Sequence, residues 1–206
     1  LGCTGPNSNS QEILGLDVEW LGHAGFKISS GGKNVYFDPV PLPEEVYQDA
    51  TVVFLTHAHS DHCDQSAVSK IAGQNALIVT VKKCADKLSG FSNVKVVEEN
   101  QVFEAEGFSV SSVPAYNVVS GRRDFHPKGE GVGFVVEIGE KRVYHAGDSD
   151  FVIEMQDLQN IDLAFLPSGG KFTMNHFEAA HAADVIKPKV AVPMHYNFRG
   201  GEVIDI

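Results

Sequence analysis

Three short strand-like runs in this 206-residue chain break off at residues of the kind that grip metal ions. Residues 51–56 give way to His57-Ala58-His59-Ser60-Asp61-His62, residues 142–145 lead through Ala146-Gly147 to Asp148, and residues 190–194 end at His195. A continuous apolar run of this length is the pattern of a strand buried on both faces, so the polar residue beyond it belongs to the loop at that strand's carboxyl end. Three strands that end this way predict one site along one edge of the sheets.

The first loop carries the most information. In extended backbone, positions two apart share a face, so His57 and His59 can grip one cation while a turn lets Asp61 and His62 face a second. Imidazole nitrogen and carboxylate oxygen suit Zn²⁺, and also Mn²⁺ or Fe. Gly147 allows close backbone approach beside Asp148, a residue placed to bridge two cations.

Around these loops the chain reads as mixed α and β. Residues 16–21, 24–30 and 35–37, separated by Gly22-His23 and a turn at 30–34, predict a β-meander. Further strands are expected at 76–81, 94–97, 102–105, 108–113, 132–138 and 162–166. Helices are expected at 64–72 with Asp64 as N-cap and Gly73 as stop, at 82–88, at 149–158 and at 175–186. Met155 and Met174 read as core or near-core residues. Residues 1–15 read as a polar linker and 16–206 as one domain. Within that linker Leu1-Gly2-Cys3 looks like the cleavage box of an exported lipoprotein, with an incidental cysteine as the alternative. The lipoprotein reading places the protein outside the cytoplasm with Cys3 as its only membrane attachment; the alternative leaves it cytoplasmic.

The His-x-His-x-Asp-His run, the later Gly-Asp and the final His resemble the metallo-β-lactamase superfamily. Leu21-Gly22-His23, Tyr144-His145-Ala146-Gly147-Asp148 and Pro193-Met194-His195-Tyr196 are similar to its small metal-dependent hydrolases. The resemblance spans about residues 16–200 and implies a four-layer αββα sandwich of the α/β (α+β) class, with the metals between the sheet edges. It implies two divalent transition-metal ions, zinc foremost with manganese or iron as alternatives. His57 and His59 would hold the first, Asp61, His62 and His195 the second, and Asp148 would bridge. Such a centre makes a hydroxide nucleophile at neutral pH, because coordination lowers the pKa of water towards ~7. The implied reaction is hydrolysis of a small ester, lactone, thioester or phosphodiester, with Asp61 able to take or relay a proton. A non-catalytic metal-binding or sensing module is the alternative.

One position departs from the pattern. Where the superfamily supplies a further His to the first metal, this chain has Val113-Pro114-Ala115-Tyr116-Asn117. Asn117 could ligate weakly through its carbonyl oxygen, or His126 could fold back, as a third ligand or as a donor to the substrate's developing oxyanion, or the first metal could be loosely held. His126 lies on a loop with Gly121, Gly129, Gly131 and Gly133, which has the backbone freedom to deliver it. Of the other histidines, His23 stands near the expected site mouth with a site role or a turn role. His145 supports the ligands rather than joining them, and His176 and His181 are surface residues of the last helix. Residues 168–171 would form part of the rim. Lys128, Arg122 and Arg123 are candidate anion hooks, with a solvated loop as the reading for at least two of them.

A formal net charge of −11 disfavours general nucleic-acid binding, and no apolar run approaches the ~18–20 residues of a membrane span. A small-molecule substrate is the expected partner. Two cysteines beside Cys3 make no disulfide framework. Cys63, inside the ligand motif, could ligate, but both Cys63 and Cys84 read as free buried residues behaving as small apolar side chains.

Overall fold

The meander forms as Leu16–Gly22 (β2), Gly25–Ser30 (β3) and Lys33–Phe37 (β4), antiparallel neighbours whose inward positions Val18, Phe26, Ile28, Val35 and Phe37 are buried. The computed structural model describes residues 10–39, 47–73 and 75–196. The sheet starts earlier than expected. Ser10–Ile13 (β1) pairs with β2, so the last part of the stretch read as linker is an edge strand, and the Cys3 reading lies outside the described residues. After β4 the chain changes habit. Val52–Leu55 (β5), Leu77–Thr80 (β6) and Val94–Val96 (β7) add in parallel, connected through the helices Gln65–Ile71 (α1) and Lys82–Ala85 (α2). Asp64 caps α1 through the Ala67 amide, as its sequence predicts.

The second sheet repeats this plan. Val102–Ala105 (β8), Phe108–Pro114 (β9), Val132–Ile138 (β10) and Lys141–His145 (β11) run antiparallel, and Leu163–Pro167 (β12) and Val190–Met194 (β13) continue in parallel. His176–Ile186 (α3), opened by an Asn175–Glu178 capping box, packs on β12. The two sheets meet through aromatic rings. Phe26 lies 4.0 Å from Phe165, Phe54 4.9 Å from Phe134, and Phe37 stacks on His145 at 5.2 Å between ring centres. Truncating any of these phenylalanines would cost about 3–5 kcal/mol. Two mixed sheets face to face with helices outside are the expected sandwich.

Two local readings need correction. A helix over 149–158 is replaced by a short 3-10 turn at Ile153–Asp157. Ser149 and Asp150 are engaged elsewhere: Ser149 Oγ donates to Tyr116 O, and Asp150 Oδ2 accepts from the Val118 and Val119 amides. Side chains that bond backbone in this way compete with the helix. Cys63 and Cys84 are not free thiols but a disulfide, buried, with Cα atoms 6.0 Å apart. They stand beyond the carboxyl ends of the adjacent parallel strands β5 and β6, a proximity that their separation of 21 residues conceals. That bond also removes Cys63 from any ligand role.

Candidate metal centre

Strand β5 ends at Leu55, and after Thr56 the chain coils tightly: the amides of His62 and Cys63 both donate to His59 O. The coil is seated on a buried carboxylate. Asp38, just past β4, accepts from the Thr56 amide (2.8 Å), the Thr56 hydroxyl (2.6 Å) and His62 Nδ1 (2.7 Å). With Nδ1 held there, His62 presents Nε2 to the centre.

Three overlapping groups of ligand-type atoms lie there among the described residues, the third of them His57, His62 and Asp148. His57, His59 and His126 form the first, while His23, Asp61, His62 and His195 form the second, and within each the ligand atoms lie inside 4.8 Å of one another. Asp148 stands between these two. Its Oδ2 is 3.2 Å from His126 Nε2, 2.9 Å from His195 Nε2 and 3.9 Å from His57 Nε2, and its Oδ1 is 3.3 Å from His62 Nε2. Asp61 Oδ2 is 3.2 Å from His23 Nε2 and 3.9 Å from the Nε2 atoms of His62 and His195. All these side chains but His59 and Asp61 are buried.

Backbone explains the close approach. Gly147 has φ +63, and a Cβ there would lie 2.9 Å from Thr56 Cβ, so only glycine lets the β11 loop bring Asp148 against the ligand coil. Gly169 leaves no room for a side chain either, since a Cβ would fall 2.3 Å from His195 O. That puts the 168–171 loop at the site's wall.

The departure at Asn117 resolves in geometry. The Asn117 amide donates to His126 O at 2.8 Å, and Asn117 Oδ1 contacts His126 Nδ1 at 2.7 Å. Asn117 therefore holds the His126 ring with Nε2 toward Asp148, and its own oxygen is taken. Arg122 fixes the same loop from below. Its guanidinium, buried, donates to Thr173 O (2.6 Å) and pairs with Asp150 (2.9 Å) and Glu178 (2.7 Å). It is thus a structural tie between loops, not an anion hook. Lys128 is exposed and pairs with Glu154, and Arg123 donates to Val118 O.

Electrostatics prepares the donors. Burial and the neighbouring His62 push the His57 ring well below its ordinary pKa, and burial lowers His59 and His23, so these imidazoles are neutral at pH 7. Burial alone would raise Asp148, but His195 and His62 hold its carboxyl well below the usual range. Burial would likewise lower His62, yet Asp148 and Asp38 carry it well above. The buried atoms His62 Nε2, His126 Nε2, His195 Nε2 and Asp148 Oδ1 converge without an aligned hydrogen bond. Buried donors and acceptors are seldom left so, and a divalent cation is the partner this set of nitrogens and oxygens suits.

Other predicted residues fall outside. His145 is buried, with Nε2 2.9 Å from Ala24 O and Nδ1 accepting from the Gly147 amide, so it braces the Asp148 loop. His181 packs edge-on against Phe151 and His176 beside Phe177, away from all three groups. Asp38 was not among the expected site residues. Its signal was the same as theirs, an acidic residue just past a buried strand.

A sequence family described as Beta-lactamase superfamily domain matches residues 17–195. A UPF0173 metal-dependent hydrolase of Pyrococcus abyssi is 37% identical over 197 residues, covering 88% of this chain and 85% of the relative. One of Methanopyrus kandleri is 34% identical over 202 residues, covering 88% and 84%. Among solved structures, Igni18, a metallo hydrolase from Ignicoccus hospitalis, superposes with a TM-score of 0.71 at 27% identity, covering 88% of this chain and 83% of that one.

Proposed function

Because the chain belongs to the beta-lactamase superfamily and is one of its metal-dependent hydrolases, we propose that it cleaves a small ester, lactone, thioester or phosphodiester with two divalent transition-metal ions, zinc foremost. Manganese or iron are the alternatives that imidazole and carboxylate donors also accept. His57, His59 and His126 would hold one ion, and Asp61, His62 and His195 the other, with His23 beside them and Asp148 shared. Bound there, such ions acidify water and polarise the oxygen of the scissile group.

The chain's own residues supply the rest. Asp38 and Asn117 fix the rings of His62 and His126, each through the nitrogen that faces away from the centre. A carboxylate or carbonyl on that second nitrogen sets the ring's orientation and raises its basicity. Asp61 Oδ2, 3.2 Å from His23 Nε2, is partly exposed. Against the effect of burial, His23 and His62 hold its carboxyl well below the usual carboxylate range. It therefore stays ionised and can orient water and pass a proton on toward that ring rather than keep it.

The observation that carries the reading is Asp148 Oδ2 lying within 3.2 Å of a nitrogen from each of the first two groups. The non-catalytic alternative rested on an Asn standing where a His was expected, and His126 beside that Asn supplies the imidazole. Metal analysis of protein purified without added metal, paired with an ester and phosphodiester panel, tests the proposal. Close to two ions per chain and turnover are expected. A folded chain that takes up neither Zn²⁺ nor Mn²⁺ at pH 7.5 would refute it.

A further inference from the structure

Beside the first histidine group a cleft of about 470 Å³ opens to solvent, within the size range of small-molecule sites. His57, His59, His126 and Asp148 lie at one side of it, and its other walls differ sharply in chemistry. One is apolar: Phe125, Pro127, Ala115 and Val132 line it, and Phe125 is held edge-on against Phe172 with ring centres 4.8 Å apart. Phe125 is nonetheless 40% exposed, so an aromatic face stands uncovered at the mouth.

α2 and the turn after it bring Lys83, Asp86 and Lys87 to the same cleft. Their charges are not equivalent. Lys83 is neutralised by Glu130 at 2.5 Å, and Asp86 by Lys82. Lys87 has no carboxylate partner among the described residues. Among those residues its ammonium donates only to Ala58 O, the carbonyl between His57 and His59, at 2.5 Å. In a chain of net charge −11, an uncompensated cation is anchored on the ligand coil itself. The Cys63–Cys84 bond ties α2 to the same coil, so this cation keeps a fixed place beside the histidines.

We infer that the substrate carries an anionic group apart from the bond that is cut, held by Lys87, and an apolar, aryl-sized body that lies on Phe125. This deepens the hydrolase reading and rests on it for the bond that is cut. The anion claim itself concerns binding and can be measured without turnover. An ammonium near the surface prefers a carboxylate to a neutral group by a modest factor, roughly fivefold, weakening as salt rises.

Two uncleaved amides of similar length probe this: N-(4-nitrophenyl)succinamic acid, which is anionic, and N-(4-nitrophenyl)butanamide, which is neutral. Calorimetric titration of the metal-loaded protein should give the anionic amide the lower Kd. K87Q should loosen it roughly fivefold and leave the neutral amide unchanged, and K87E should reverse the preference. K95Q, on β7 and outside the cleft, should change neither. Metal content is measured for every variant. Equal Kd values for the two amides in the parent, binding of neither, or an anionic preference that survives K87Q would overturn the inference. The last result would mean that the carboxylate sits on the metals. The matching 4-nitrophenyl esters form a separate arm. Lys87-dependent amide binding without hydrolysis of either ester would count against the hydrolase reading and leave the anion site standing.

Discussion

Asp38 offers the sharpest separation of fold from site. It is fully buried and accepts three hydrogen bonds, two from Thr56 and one from His62. D38A leaves all three donors facing a hole. Removing one member of a buried charged pair costs about 3–5 kcal/mol, and the lost charge-assisted bonds fall in the same range. D38N is milder for the fold, because its amide oxygen still accepts from Thr56. It is not milder for the ring, since a side-chain NH₂ now meets Nδ1 and the His62 tautomer must change. The loss of such an orienting partner lowers metal affinity about 10- to 100-fold, or ~1.4–2.7 kcal/mol. Urea unfolding of the metal-free proteins isolates the fold, and competition for Zn²⁺ against a chromophoric chelator isolates the site. D38A should lose stability in the first assay, and D38N should weaken Zn²⁺ mainly in the second. Unchanged Zn²⁺ affinity in D38N would refute the claim that Asp38 orients His62.

Four further outcomes follow from the same geometry. D148A should lose most of its bound metal, whereas H176A and H181A should match the parent in metal analysis. H126A should lower stoichiometry toward one ion, and N117A should loosen that ion about tenfold in chelator competition. Replacing Cys63 and Cys84 together by alanine should cost about 3 kcal/mol in urea unfolding, the loop-closure value for a separation of 21 residues. Zn²⁺ affinity should weaken as pH falls through the neutral range, because His62, carried well above the ordinary imidazole pKa by Asp148 and Asp38, must give up a proton to bind, whereas His57 and His59 are already neutral. A flat titration from pH 7.5 to 5 would contradict histidine ligation.

The parts legible in the sequence are those whose signals are local. Residues 52–55 announced themselves by apolar continuity and are buried on both faces, whereas 190–194, read the same way, form an edge strand that leaves Ala191 and Pro193 exposed. The ligands announced themselves by their place just past such strands. Asp64 and Asn175 marked helix starts because a cap is a contact over three residues. What stayed hidden depends on distant pieces meeting. The link between Asp38 and His62 crosses 24 residues of chain, and the disulfide needs β5 and β6 side by side. His126 was an open alternative in the sequence, because only the folded loop shows Asn117 gripping its ring. Ser149 and Asp150 looked helical until their bonds to Tyr116, Val118 and Val119 displaced that pattern.

The division of the ligands between the sheets has a thermodynamic meaning. His23, His57, His59, Asp61 and His62 come from loops of the first sheet, and His126, Asp148 and His195 from loops of the second. Neither half of the chain alone completes any of these groups. An ion bound across that seam would favour the docked arrangement over every undocked one, by ~2.7 kcal/mol at a hundredfold excess over its Kd. A metal held there would therefore also act as a clasp between the two halves of the sandwich.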